Sequence, residues 1–386
     1  MSRPTCHRTL RLELLESREL LSSGGPTDQQ QYMLYLLNQA RTNPAAMANR
    51  VTSNLDADVS ATVDYYNVNL SSVKNAIAST PAKPPLAWNT QLANAAQGQS
   101  QYQADSGVQS HTGANGSSLE QRLDQAGYKN RTTDGENAYA YSDSVDQAMQ
   151  AFLIDWGVSD NGHRNNILQP VTSADNAYRE VGIGIVKTNK NGLGPYVITQ
   201  DFGAQQGDKA QLLGVAFNDN NSDDFFQAGE GQGNVTIQAT NTATGQTTTV
   251  QTWDSGGYQM ALDPGTYKVT ALVGNSVVNS QNVTIGTQNV EVDYNLSDKW
   301  QGGSVPAVTP TVTKASTPPP TAPTTTSTPA AMMLSNVVTN SQKSTTTAPV
   351  TTSAPVLTAT QATGKNSFTS GNWASGWSSW VAQKKS

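Results

Sequence analysis

Three histidines occur in this 386-residue sequence, and two of them follow stretches of helical spacing rather than sitting inside an apolar run. His111 lies in SHTGANG, just past a helical stretch that ends at Gly107, and His163 lies in WGVSDNGHRNNIL, just past the one that carries Trp156. Two acids have comparable settings: Glu120, shortly after His111, and Glu136, in GENAY. Imidazole titrates near neutral pH, so two histidines and two carboxylates can run general acid/base chemistry. The same four groups can hold a divalent metal such as zinc, with His111 and His163 giving neutral nitrogens and the carboxylates orienting ligands or water. A plainer account is a pair of solvated loop histidines. Spacing does not choose among the three, because 52 residues separate the histidines. Ser110 and Ser159 lie near them, but serine is common here and proximity alone says little. Neither G-x-S-x-G nor H-E-x-x-H is present, and the single cysteine, Cys6, lies far from both histidines.

Elements that would position these groups can be placed from pattern. Thr27 or Asp28 caps a helix over 28–43, with Met33, Leu34, Leu36, Leu37 and Ala40 on its apolar side and Pro44 ending it. A helix over 45–51 precedes a polar stretch with Pro81, Pro84 and Pro85. Trp88–Gly107 carries Leu92, Ala95, Ala96 and Tyr102 at helical spacing, a short helix covers about 117–126, and another covers 144–157. Ser144 and Gln147 form a capping-box pattern at the start of that last helix. Val181, Ile183 and Ile185 alternate, as do Tyr196, Ile198 and Gln200, so both runs read as strands. Helices first and an antiparallel pair late predict an α+β sandwich over 27–205.

In order along the chain stand Asn38-Gln39-Ala40-Arg41, Leu86-Ala87-Trp88-Asn89, SHTG, GSSLEQRLDQAGY, GENAYA, DWGVSDNGHRNNIL, VGIGI and ITQDFG. This succession resembles the CAP superfamily of cysteine-rich secretory, antigen-five and pathogenesis-related proteins, in its bacterial SCP-like branch. The resemblance implies an α-β-α sandwich with a central cleft and a tetrad of two histidines and two acids. On this chain the tetrad maps to His111, Glu120, Glu136 and His163, with Asp124 one turn beyond Glu120. The segment 44–85 is longer than in minimal bacterial members, and the eukaryotic disulfides are absent. Family links to lipid, metal and proteolysis leave three functions open. One is a cleft that binds a small amphipathic ligand or a divalent metal. The second is a metal-dependent hydrolase using His111, Glu136 and His163. The third is a non-catalytic adhesion or structural surface protein. Binding is favoured over hydrolysis.

From about 210 to 298 short alternating runs (Val235 and Ile237, Tyr258 and Met260, Tyr267, Val269 and Ala271, Val290 and Val292) are separated by turn signals at 254–257 and 263–265. About seven strands in this span predict an immunoglobulin-like β-sandwich. TWDSGGYQMALDPGTYKV resembles the SdrD B-like and carboxypeptidase-regulatory-like modules of bacterial surface proteins, which implies a non-catalytic spacer or adhesion unit. Asp219, Asn221, Asp223 and Glu230 occupy positions 1, 3, 5 and 12 of an oxygen-rich loop suited to calcium, although position 6 is Asp224 rather than glycine.

Both ends differ from this body. In residues 1–26, Arg11, Glu13, Glu16, Arg18 and Glu19 interrupt the leucines, so no secretory apolar run forms. LRLELLESRELLS nevertheless resembles the leader of many planctomycete extracellular proteins, which implies export and an extracellular or cell-surface location. Residues 299–386 hold six lysines and no acid, are rich in Thr, Pro and Ser, and predict a disordered tail. Trp373, Trp377 and Trp380 near its end suit a docking segment for a cell-surface component. A net charge of −6 argues against nucleic-acid binding, and no apolar run is long enough to span a membrane.

Overall fold

The computed structural model describes residues 25–171, 177–190 and 192–297. The leader, Cys6, the Thr/Pro-rich tail and its tryptophans lie outside the described residues.

Helix α1 (Asp28–Thr42) opens on a full capping box in which Thr27 and Gln30 each accept from the other's main-chain N–H. Asn43 ends α1 and caps α2 (Pro44–Thr52), whose first residue is the proline, a position where the missing N–H costs nothing. The polar stretch that follows is not bare loop. It holds α3 (Ala57–Tyr65), capped by Asp56, and α4 (Leu70–Ala78), capped by Asn69. Each buries only two or three side chains, which is why neither shows a wide apolar stripe in sequence. Then come β1 (Ala87–Trp88), α5 (Thr90–Ser106), α6 (Leu119–Gln125), β2 (Arg131–Ser142), α7 (Val145–Ile154), α8 (Gly162–Leu168), β3 (Glu180–Lys187) and β4 (Tyr196–Gln205). At the start of α7 the expected capping box is half made. Ser144 accepts from Gln147 N at 3.0 Å, but the Gln147 side chain turns to Asp143 N instead.

The late antiparallel pair is part of a four-stranded sheet of order β1-β3-β4-β2, in which only β1–β3 is parallel. Helices cover both faces. On one face Val181, Ile183, Ile198 and Phe202 share a core with α1, α2, α7 and α8. On the other, α5 lies so close that a Cβ at Gly182 would fall 1.9 Å from Ala93 N, so VGIGI needs its glycines for layer spacing. The first part of the chain is therefore an α+β fold in three layers.

Eight further strands follow among the described residues: β5 (Gln211–Phe217), β6 (Thr236–Asn241), β7 (Thr247–Gln251), β8 (Gly257–Ala261), β9 (Gly265–Val273), β10 (Ser276–Ile285), β11 (Val290–Glu291) and β12 (Tyr294–Asn295). One sheet runs β10-β9-β6-β7; in the other, β5 pairs with β8, β11 and β12. Leu212, Tyr258, Ile237, Val269 and Tyr294 pack between the two sheets.

This module does not hang free of the first part. Val215, Phe217 and Phe226 belong to the same core as α1. Phe225 and Phe226, at the tip of the acidic loop, meet Tyr35 edge-on at 4.9 and 5.4 Å, and the Arg50 guanidinium lies 3.9 Å over the Phe225 ring. Gln259 exchanges two hydrogen bonds with the Trp88 main chain, at 2.9 and 3.0 Å. Asn289 donates to the carbonyls of Pro85 and Arg179.

Candidate functional site

His111 is placed by the end of α5. Gly107 adopts φ 74°, a left-handed conformation that suits glycine, and turns the chain out of the helix. Gln99 and Gln103, both buried on α5, then pin the following loop through the Ser110 carbonyl and the Ser110 N–H. The imidazole is delivered against β2, where its Nδ1 lies 2.8 Å from Glu136 Oε1. Arg122, on α6, holds the other Glu136 oxygen and donates to the carbonyls of His111 and Ser117, at 3.0 and 3.1 Å. Side-chain exposure is 7% for His111, 8% for Arg122 and zero for Glu136, so the ion pair is buried and its geometry matters. His111 Nε2 is buried without a hydrogen-bond partner among the described residues.

His163 has a different carboxylate. Asp155 ends α7 at φ 61°, which swings its side chain back under the next turn. Its Oδ1 lies 2.7 Å from His163 Nδ1, and its Oδ2 accepts the Arg164 main-chain N–H at 3.1 Å. The ring packs against Phe152, with centroids 5.5 Å apart. Arg41, from the first motif of the chain, fixes α8 by donating to the Ile167 carbonyl at 2.8 Å. Burial pushes the Arg41 pKa down to about 9.

Glu136 and Asn137 are consecutive on β2 and so point to opposite faces. Glu136 meets His111 and Arg122, whereas Asn137 meets Gln200, Asn166 and the carbonyl of His163. Edge strand β2 thus ties one imidazole pair to each of its faces. The structure joins His111 to Glu136 as the sequence suggests. The carboxylate on His163 is Asp155, and Glu120 is half-buried on α6, where its carbonyl accepts from Arg131. Asp124 ion-pairs with Arg131 and Lys129 at the surface. Asp155 and Arg122 were the residues missed. The signal for Asp155 was an acid interrupting AFLI and Trp156; Arg122 has no such signal around it.

Neither imidazole bonds a serine hydroxyl among the described residues, and the Ser110 hydroxyl accepts from Thr112 N at 2.9 Å. No group of three or more His, Cys, Asp or Glu side chains among the described residues is arranged to hold a metal ion. The acidic loop of residues 219–230 uses its side-chain oxygens on its own main chain. In the loop, Asp219 accepts main-chain N–H groups of 222–224, Asn221 and Asp223 accept those of 223 and 225, and Glu230 accepts those of 220 and 227. These oxygens cap a turn whose tip is Phe225-Phe226. Among the described residues no helix is long and apolar enough to cross a membrane.

Residues 34–202 match the family model for CAP, the cysteine-rich secretory protein family. No curated protein matches this sequence. Among solved structures, an extracellular protein containing a SCP domain from Bacillus anthracis str. Ames matches at 23% identity with a TM-score of 0.25. That match covers 40% of this chain and 45% of the other, so the chain spans less than half of that protein's length.

Proposed function

With residues 34–202 forming a CAP domain, we propose that this is an exported binding protein that takes a small amphipathic ligand at the His111 pair. One observation carries the reading. His111 is locked through Nδ1 onto Glu136 while its Nε2, buried, has no partner among the described residues. A buried polar atom left unpaired costs about 1–3 kcal/mol, and a ligand group that pairs with it recovers that cost. Binding is favoured over hydrolysis because neither imidazole bonds a hydroxyl among the described residues. Export is supported by the secretory character of the family and by the resemblance of the leader. The β-module serves as a docked, non-catalytic support.

The experiment is extraction of bound small molecules from purified full-length protein, followed by mass spectrometry, with wild type beside His111→Ala. A near-stoichiometric species in wild type that drops at least tenfold in the variant is expected. A clean extract from wild type, or equal yield from both, removes the reading.

A further inference from the structure

Where the β-module docks on α1, the two surfaces do not close completely. Helix α1 turns Gln31, Leu34, Tyr35 and Asn38 toward the module, at positions i, i+3, i+4 and i+7 of one face. Trp88 on β1 stands beside them. Opposite lie Leu213 and Val215 on β5, Tyr258 on β8, Trp253 in the connection before β8, and Glu291 on β11. Together they bound a narrow cavity with room for about one water. None of its lining residues belongs to either histidine pair.

Two of the walls carry polar atoms that nothing serves. Gln31 is 3% exposed, and its Oε1 has no hydrogen-bond partner among the described residues. Trp88 is 5% exposed, and its Nε1–H likewise has none. The Gln31 amide is built into place: a Cβ on Gly257 would fall 1.9 Å from Oε1, so glycine is needed there to admit it. Trp88 is held by its main chain, with which Gln259 exchanges two hydrogen bonds. A buried acceptor and a buried donor left unpaired are both costly.

That one is an acceptor and the other a donor decides what the cavity takes. An ammonium group serves Gln31 Oε1 but turns a positive charge on the indole N–H. A carboxylate serves the N–H but is repelled by Gln31 Oε1 and Glu291. A hydroxyl serves both, donating to Oε1 and accepting from Nε1. Glu291 suits the same neutral head. Its carboxylate accepts from Asn38, and burial, then Asp293, push it well above its ordinary range. Water makes the same two bonds, but only a carbon stem gains from the leucines, valine and rings around them. The stem would lie at the mouth over Trp253, which is half-buried and the most exposed ring of the wall.

We propose that this junction cavity is a second binding site, for the hydroxyl end of a small neutral alcohol whose carbon stem lies against the surrounding side chains. It stands whether or not His111 binds a ligand.

The test uses full-length protein and follows the Trp88 indole N–H signal by NMR while 1-butanol is added. A saturable downfield shift is expected, with affinity in the millimolar range. Gln31→Met keeps the bulk and removes Oε1, so affinity should fall about tenfold, as for one lost hydrogen bond. His111→Ala should leave the titration unchanged. n-Butylammonium, which donates but cannot accept, should not move the signal saturably. No saturable shift with 1-butanol overturns the site. Binding of n-butylammonium as tight as that of the alcohol overturns the hydroxyl class. Equal affinities of wild type and Gln31→Met, or loss of the shift in His111→Ala, put the alcohol elsewhere and overturn it too. If Gln31→Met does not fold, the wild-type contrast between 1-butanol and n-butylammonium decides.

Discussion

The two imidazole–carboxylate pairs share a plan and differ in what surrounds it. Each histidine gives Nδ1 to a buried acid, at 2.8 Å for His111–Glu136 and 2.7 Å for His163–Asp155, and each has an arginine close in sequence or space. At His111 the arginine acts through its guanidinium, which holds Glu136 directly. At His163 the arginine acts through its main-chain N–H, and its guanidinium turns to Asn161. Asp155 is thus neutralised by helix ends and ring contacts, whereas Glu136 depends on one charged side chain and is crowded by Asp201. The first pair retains unpaired buried atoms, and the second closes on itself around Phe152. The difference separates a site that can accept something from a brace that holds α7 and α8 together.

Substitution can break that contrast. The largest effect is expected from Arg122→Met, which strands the Glu136 charge in the interior. A loss of about 3–5 kcal/mol is expected for breaking a buried ion pair, measured by denaturant unfolding at pH 7. A loss below about 1 kcal/mol would place the pair in a far wetter setting than the structure does. Next is Asp155→Ala, which removes two hydrogen bonds and puts alanine at a left-handed position. Roughly 2–4 kcal/mol should be lost, and Asp155→Asn should recover more than half, since asparagine tolerates the backbone and still accepts. Equal losses for Ala and Asn would mean that charge, rather than hydrogen bonding, anchors His163. The smallest effect is expected from Arg164→Met. Its main-chain N–H still serves Asp155, and the guanidinium is already disfavoured by burial, so stability should shift by no more than about 1 kcal/mol. Should Arg164→Met match Arg122→Met, the contrast between the two arginines fails.

Much of the scaffold is legible along the chain, and the gaps have physical causes. Helices α1, α5 and α7 carry wide apolar stripes and proper caps, and β3 and β4 place Val181, Ile183 and Ile185, and Tyr196 and Ile198, at alternate positions. The central piece that escaped was β2. Eight consecutive residues from Thr133 to Ala140 are buried, so no period of two distinguishes inside from outside. Glu136 could therefore be singled out as an acid near a histidine without any indication that a strand presents it. Of the four groups read as one cluster, His111 and Glu136 meet, and His163 has Asp155 as its carboxylate. Asp155 takes the place given to Glu120 because a left-handed helix end redirects a side chain, and such a reversal leaves little trace in composition.

Phe226 has a consequence for how this chain can be divided. The family match ends at 202, and the strand that completes the first sheet ends at Gln205. A cut there looks natural on paper. Yet Tyr32 and Tyr35 on α1 are 5% exposed largely because Phe225 and Phe226 of the next module lie on them. A chain severed after Gln205 would carry a raw aromatic patch that invites self-association. Recombination that shuffled the first part onto another partner would have to supply an equivalent plug.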